Sequence, residues 1–207
     1  MTGPTDMRHR HLLLSILMLC SGCTALTLEM VWLRRLALQL GSAGLSATVT
    51  LAIYMGGLGF GSWWAGRKVW KSPIPTYGYL ELFVGCWALF FPFLLETFGP
   101  QFMGLTSWSM GLSIPLLLPP AVAHGATLPV LSTITQRSTA TAWLYAINTL
   151  GAVLGVLGSA FILMPWLGVR GTELFAILLC LGIFGMTYWQ HGEIKTSKID
   201  TAGSTIP

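Results

Sequence analysis

Charge is what this chain has least of. Asp, Glu, Lys and Arg make up 9% of its 207 residues, against about 25% in a water-soluble domain. Seven acids and eleven bases cannot keep the surface of a 22.4 kDa soluble body hydrated. A soluble enzyme with its own Rossmann domain is thereby excluded. The net charge of +4 is spread along the chain and builds no basic face, which excludes a nucleic-acid reader. Low-complexity tracts and long linkers are missing, so no second, soluble domain is marked off. Cysteine is scarce, and its four copies, Cys20, Cys23, Cys86 and Cys180, fall in apolar stretches rather than in a disulfide framework. No cofactor or metal is expected.

What is present is apolar. Hydrophobic residues make up 54% of the chain and mean hydropathy is +0.70. Runs of about 20 apolar residues read as membrane spans. Six emerge, from about Leu12 to Leu33, Leu45 to Gly66, Tyr77 to Phe98, Met110 to Ile134, Thr141 to Met164 and Glu173 to Trp189. Unpaired backbone groups are too costly in hydrocarbon for anything but helices or a closed barrel. The expected fold is an all-α polytopic membrane protein, a bundle of six spans over 12–189. Residues 1–11 form a cytoplasmic N-terminal segment, and 190–207 form a polar tail without structure.

Arg8, Arg10, Arg67, Lys68, Lys71, Arg137, Lys195 and Lys198 fall on one side of such a bundle, and Arg34, Arg35 and Arg170 on the other. The richer side should be cytoplasmic, with both termini inside. Arg8 and Arg10 before LLLSILML, with CSGC at 20–23, imitate a lipoprotein signal. The apolar run continues to Leu33, however, which predicts a retained helix.

Ionisable groups inside spans face the bundle interior or a wet cavity by default. Glu29 stands on a stripe with Ser15, Gly22 and Ala25, small residues suited to helix contact. Its expected partner is Arg34 or Arg35, with a substrate or proton site as the alternative role. Glu81 is expected near the headgroups, close to Arg67, Lys68 and Lys71. Glu96 and Glu173 are assigned no chemistry. His124 lies in SIPLLLPPAVAHGATLP, where Pro120 should free the carbonyl of Leu116 and Pro129 that of Gly125. Broken helices with free backbone dipoles are the usual ion and substrate sites of transporters. His124 either lines such a site or hydrogen-bonds a freed carbonyl. Gly57 with Gly61 and Gly151 with Gly155 are spaced for close helix packing. Tyr54 and Asn148 on those helices are candidates for a cavity lining. Cys20 and Cys23 share a helix face and are either packing residues or a thiol pair.

Several strings stand together: SGCTALTLEMVWLRRLALQLG, YMGGLGFGSWWAGRK, YGYLELFVG, PPAVAHGATLPVLS and LYAINTLGAVLGVLGSAFILMPWLGVRGT. In this order and at these intervals they resemble the membrane domain of the bacterial fused major-facilitator/spermidine-synthase proteins, over roughly residues 12 to 189. The resemblance implies a module similar to half of a major facilitator, built of two inverted three-helix units in the inner membrane. In that family a soluble aminopropyltransferase domain follows. Its glycine-rich cofactor loop and acidic catalytic residues have no counterpart in these 207 residues, so no aminopropyl transfer is expected of them. Glu29, Glu81 and Asn148 match the family's strings. His124 departs, since an apolar residue usually precedes GATLP.

The expected function is therefore that of a non-catalytic membrane module. It would anchor or assist a separately encoded partner protein, or handle a small polar or cationic metabolite such as a polyamine as a homodimer. The alternatives are thiol–disulfide electron transfer through Cys20 and Cys23, or a structural subunit of a membrane complex. The lipid bilayer is a partner in every case, and nucleic acid in none.

Overall fold

The computed structural model describes residues 4–98, 106–135 and 138–203, and they form helices joined by short turns. In chain order these are α1 (Pro4–Leu40), α2 (Ala43–Gly66), α3 (Pro73–Phe98), α4 (Thr106–Ser132), α5 (Ser138–Gly158), a π-helical turn (Ser159–Leu163) and α6 (Met164–Gly203). Gly41, with φ of 67°, ends α1, and the hydroxyl of Ser42 accepts the amide of Leu45 to cap α2. Pro73 opens α3, where its missing N–H is no loss. The polar segment expected to lack structure is helical as far as Gly203.

Among the described residues, five helices are long and apolar enough to cross a membrane, not the six expected. The last two expected spans form one apolar stretch, Ser138–Gln190, with no polar loop between them. Gly168 breaks this stretch with φ 67° and ψ 179°, a conformation essentially open to glycine alone. The two arms run in opposite senses along α1. On the first arm Gly151 abuts Leu19 and Gly155 abuts Cys23. On the second, Glu173 meets Arg35 while Cys180 lies beside Thr24.

Two apolar clusters stack along the bundle. Trp32, Tyr54, Phe91 and Leu117 centre one, and Leu17, Met18, Tyr77 and Leu131 the other. Trp32 stacks on Phe91 at 4.9 Å and meets Tyr54 edge-on at 6.3 Å, favourable aromatic geometries. The outward faces remain apolar, with Phe93, Leu150, Phe161 and Leu178 exposed, as a lipid environment requires. Beyond α2, Lys68 lies 3.4 Å over the ring of Trp64 and Arg67 lies 4.0 Å over Trp63. Cations on indole rings at a helix end mark a membrane–water boundary.

The glycine pairs position the helices as expected. A side chain on Gly57 or Gly61 would run into Ala121 or Val122 of α4, and one on Gly151 or Gly155 into the backbone of α1. Inside α4 the four prolines Pro115, Pro119, Pro120 and Pro129 leave carbonyls without helical donors. The Leu116 carbonyl, four residues before Pro120, accepts the indole N–H of Trp87 at 2.9 Å. A neighbouring helix thus replaces the lost bond, which is how proline is tolerated in a membrane helix.

Candidate functional site

The polar interior is built mainly on α1, where Ser21, Thr24, Thr27 and Glu29 are all buried. Thr24 and Thr27 are satisfied by backbone carbonyls, of Ser21 at 2.9 Å and of Gly155 at 3.3 Å. Glu29 is not: it is 3% exposed and its Oε2 has no hydrogen-bond partner. The expected pairing with Arg34 or Arg35 is absent. Helix α1 runs on to Leu40 without turning back, so residues five and six beyond Glu29 lie off its face. Arg34 is exposed, and Arg35 reaches α6, where its guanidinium donates to Glu173 at 2.6 Å.

Antiparallel packing of α1 on α2 sets what faces Glu29. The Ser46 hydroxyl donates to the Leu33 carbonyl at 2.8 Å, and the Tyr54 hydroxyl to the Ala25 carbonyl at 2.9 Å. In that register Thr50 stands level with Glu29, and its buried hydroxyl is also unpartnered. Tyr54 then joins α4, since its oxygen is 3.0 Å from Nδ1 of His124. Its one proton goes to Ala25, so Nδ1–H of His124 is the donor and Nε2 is left as a bare acceptor. That nitrogen is buried without a partner. His124 thus pairs with Tyr54 rather than with a carbonyl freed by proline.

Glu81 sits far deeper than expected. It is wholly buried, and its Oε1 accepts from Ser21 of α1 at 2.5 Å rather than facing Arg67, Lys68 or Lys71. Gly78 and Gly85, three and four residues either side, abut Thr187 and Cys180. This close approach of α6 closes the site to water. Tyr77 donates to the Leu17 carbonyl at 2.8 Å on the same flank, and Cys180 shares the pocket. Oε2 of Glu81 has no hydrogen-bond partner.

The remaining expected residues are not gathered here. Asn148 is half-buried on α5, with its carbonyl against Gly22 of α1. Cys20 and Cys23 are free and half-buried, and Cys23 packs on Gly155. Glu173, passed over in the sequence, has a side chain only 4% exposed and its second oxygen unpartnered. The signal was an acid inside an apolar run, which by default marks a bundle interior. Among the described residues no three His, Cys, Asp or Glu side chains cluster to hold a metal. Two grooves between α3 and α6, of about 400 and 190 Å³, touch neither Glu29, Glu81 nor His124.

The interior therefore offers two carboxylates, a bare imidazole nitrogen and a free hydroxyl, with no basic group paired to either carboxylate among the described residues. A charge at mid-membrane costs about 2.5–3.5 kcal/mol on insertion scales, which a proton or a cationic guest would relieve. No family model, curated protein or solved structure matches the chain.

Proposed function

We propose that this chain is a non-catalytic integral membrane module, of the spermidine-synthase-like membrane type, that handles a small cationic metabolite of the polyamine class. One observation carries the reading: Glu29 and Glu81 are enclosed in the bundle, and each has an unpartnered oxygen and no basic partner among the described residues. A diamine or polyamine would bring the missing positive charge and donors.

The packing pattern supports two inverted three-helix units, as in half of a facilitator. Helix α2 packs on α4 as α5 packs on α1, α3 packs on α4 as α6 packs on α1, and α3 and α6 pack on each other. Gly57 and Gly61 meet α4 as Gly151 and Gly155 meet α1. Counting the two arms about Gly168 separately gives six crossings, with both termini on the cytoplasmic side of a bacterial inner membrane. Facilitator halves work in pairs around a central path, so a second copy or a separately encoded partner completes this one. Reporter fusions after Lys71 and Lys198 should report cytoplasm, and one near Gln101 the outside. An external signal at Lys198 would overturn the six crossings.

The ligand test is thermal stabilisation of the purified chain by spermidine. A ligand at a hundred times its Kd stabilises by about 2.7 kcal/mol. Glu29→Gln and Glu81→Gln should each remove most of that gain while the protein stays folded. No stabilisation of the unaltered chain would defeat the reading. A second reading, a structural subunit, draws on the grooves, neither of which reaches the acids. It expects Glu29→Gln to change nothing that a ligand reports.

A further inference from the structure

The structure assigns the larger groove between α3 and α6 as a binding site for a zwitterionic, amine-headed phospholipid. The groove begins with a backbone fault. Pro92 inside α3 has no N–H, which frees the carbonyl of Ala88 one turn earlier. Ala88 is small and lies on the groove floor with Ile177 of α6. Between the two helices a volume of about 400 Å³ opens, within the roughly 300–1,000 Å³ usual for small-molecule sites. Its walls are Leu89 and Phe93 on one side and Leu174 on the other, a lining that suits an acyl chain.

The rim carries charge of both signs. Glu96 stands two residues before the end of α3, and Arg170 two residues after the break at Gly168. Both therefore lie at a span end, the level of lipid headgroups. Their nearest charged atoms are 4.0 Å apart, too far for a hydrogen bond, and both side chains are exposed. They form a long, solvent-exposed ion pair, weak enough for a zwitterion to enter between them. Below them Glu173, which holds Arg35 through Oε2, is buried and also contributes to the groove lining.

One ligand matches both rim charges and the apolar walls. A phosphate diester meets the Arg170 guanidinium, which is shaped for phosphate oxygens. A primary ammonium two carbons away meets Glu96. The acyl chain descends between α3 and α6. Phosphatidylethanolamine has this arrangement of anion, cation and tail. Phosphatidylglycerol has the anion and the tail but offers no cation to Glu96. The surrounding bilayer supplies the occupant, so no soluble ligand is required.

The test is lipid retention by the full chain. Protein exchanged into mixed micelles of phosphatidylethanolamine and phosphatidylglycerol with identical acyl chains is analysed by native mass spectrometry. We expect one retained lipid, with phosphatidylethanolamine preferred by roughly fivefold, the scale of a partly exposed charge pair. Glu96→Gln removes the ammonium's partner and keeps Arg170, so the preference should vanish or reverse. Arg170→Gln should weaken retention of both lipids, and Ile177→Trp should fill the floor and abolish it. Both rim residues are exposed, so their variants keep the fold. Equal retention of the two lipids by the unaltered chain would mean an ordinary lipid annulus and overturn the assignment. So would a preference that survives Glu96→Gln.

Discussion

Arg35→Met should cost the bundle about 3–5 kcal/mol, seen as a large fall in thermal stability in detergent. The side chains of Arg35 and Glu173 are 14% and 4% exposed, and they meet at 2.6 Å between α1 and α6. Breaking a buried pair by removing one partner leaves the other charge unanswered in a poor solvent for it, and that is the origin of the magnitude. Here the residual acid would lose its close ion pair and remain buried beside the Trp32 indole. Removing both partners should be far milder: Arg35→Met with Glu173→Leu strands nothing, and replacing a buried pair by apolar residues is often neutral or stabilising. The adjacent Arg34→Met is the control. Arg34 is exposed, and its loss should change stability by less than about 0.5 kcal/mol. If Arg34 proved the harmful position and Arg35 the silent one, the ion pair between α1 and α6 would be refuted.

This pair also shows where sequence reading stops. That Glu29 lies inside the bundle follows from its place on a small-residue stripe, and the burial agrees. Which arginine it would face does not follow, because the answer depends on a helix 138 residues away in the chain. Arg35 has a stronger partner there, so Glu29 is left alone. Glu81 was misplaced for a related reason. Its depth depends on where α3 begins, and Pro73 starts the helix two turns before it. The freed carbonyl of Leu116 could be read from Pro120 by counting four residues back. Its donor, Trp87 of α3, is a fact of packing alone. The count of spans turned on Gly168: the sequence suggests a gap at 165–172, but the helix runs up to and on from this single broken residue, so Ser138–Gln190 is one apolar stretch. Periodicity and composition report what a residue needs, and only the register between helices decides what it receives.

The glycine pairs carry the other large effect. Gly61→Ala and Gly151→Ala should each destabilise the bundle by about 3 kcal/mol, the upper part of the range for overpacking. The added methyl would be directed at the Val122 carbonyl in the first case and the Leu19 carbonyl in the second. Those obstacles are backbone, so no rotamer change relieves them and two whole helices must part. Equal penalties are expected because the positions do equivalent work, one holding α2 on α4 and the other α5 on α1. The contacts lie between different helix pairs, so the double variant should lose close to the sum. Gly59→Ala provides the contrast, since nothing lies within 4 Å of the methyl it would gain. It should be neutral, or stabilising by up to about 1 kcal/mol through helix propensity. Unfolding of the four variants in detergent, followed by helical circular dichroism, reads all of this at once. Helix propensity alone predicts gains at all three positions, so only close backbone approach accounts for losses at Gly61 and Gly151 with none at Gly59. A tolerant Gly151 beside an intolerant Gly61 would mean that α5 is not held on α1 as α2 is on α4, and the inverted-unit arrangement would lose its main support.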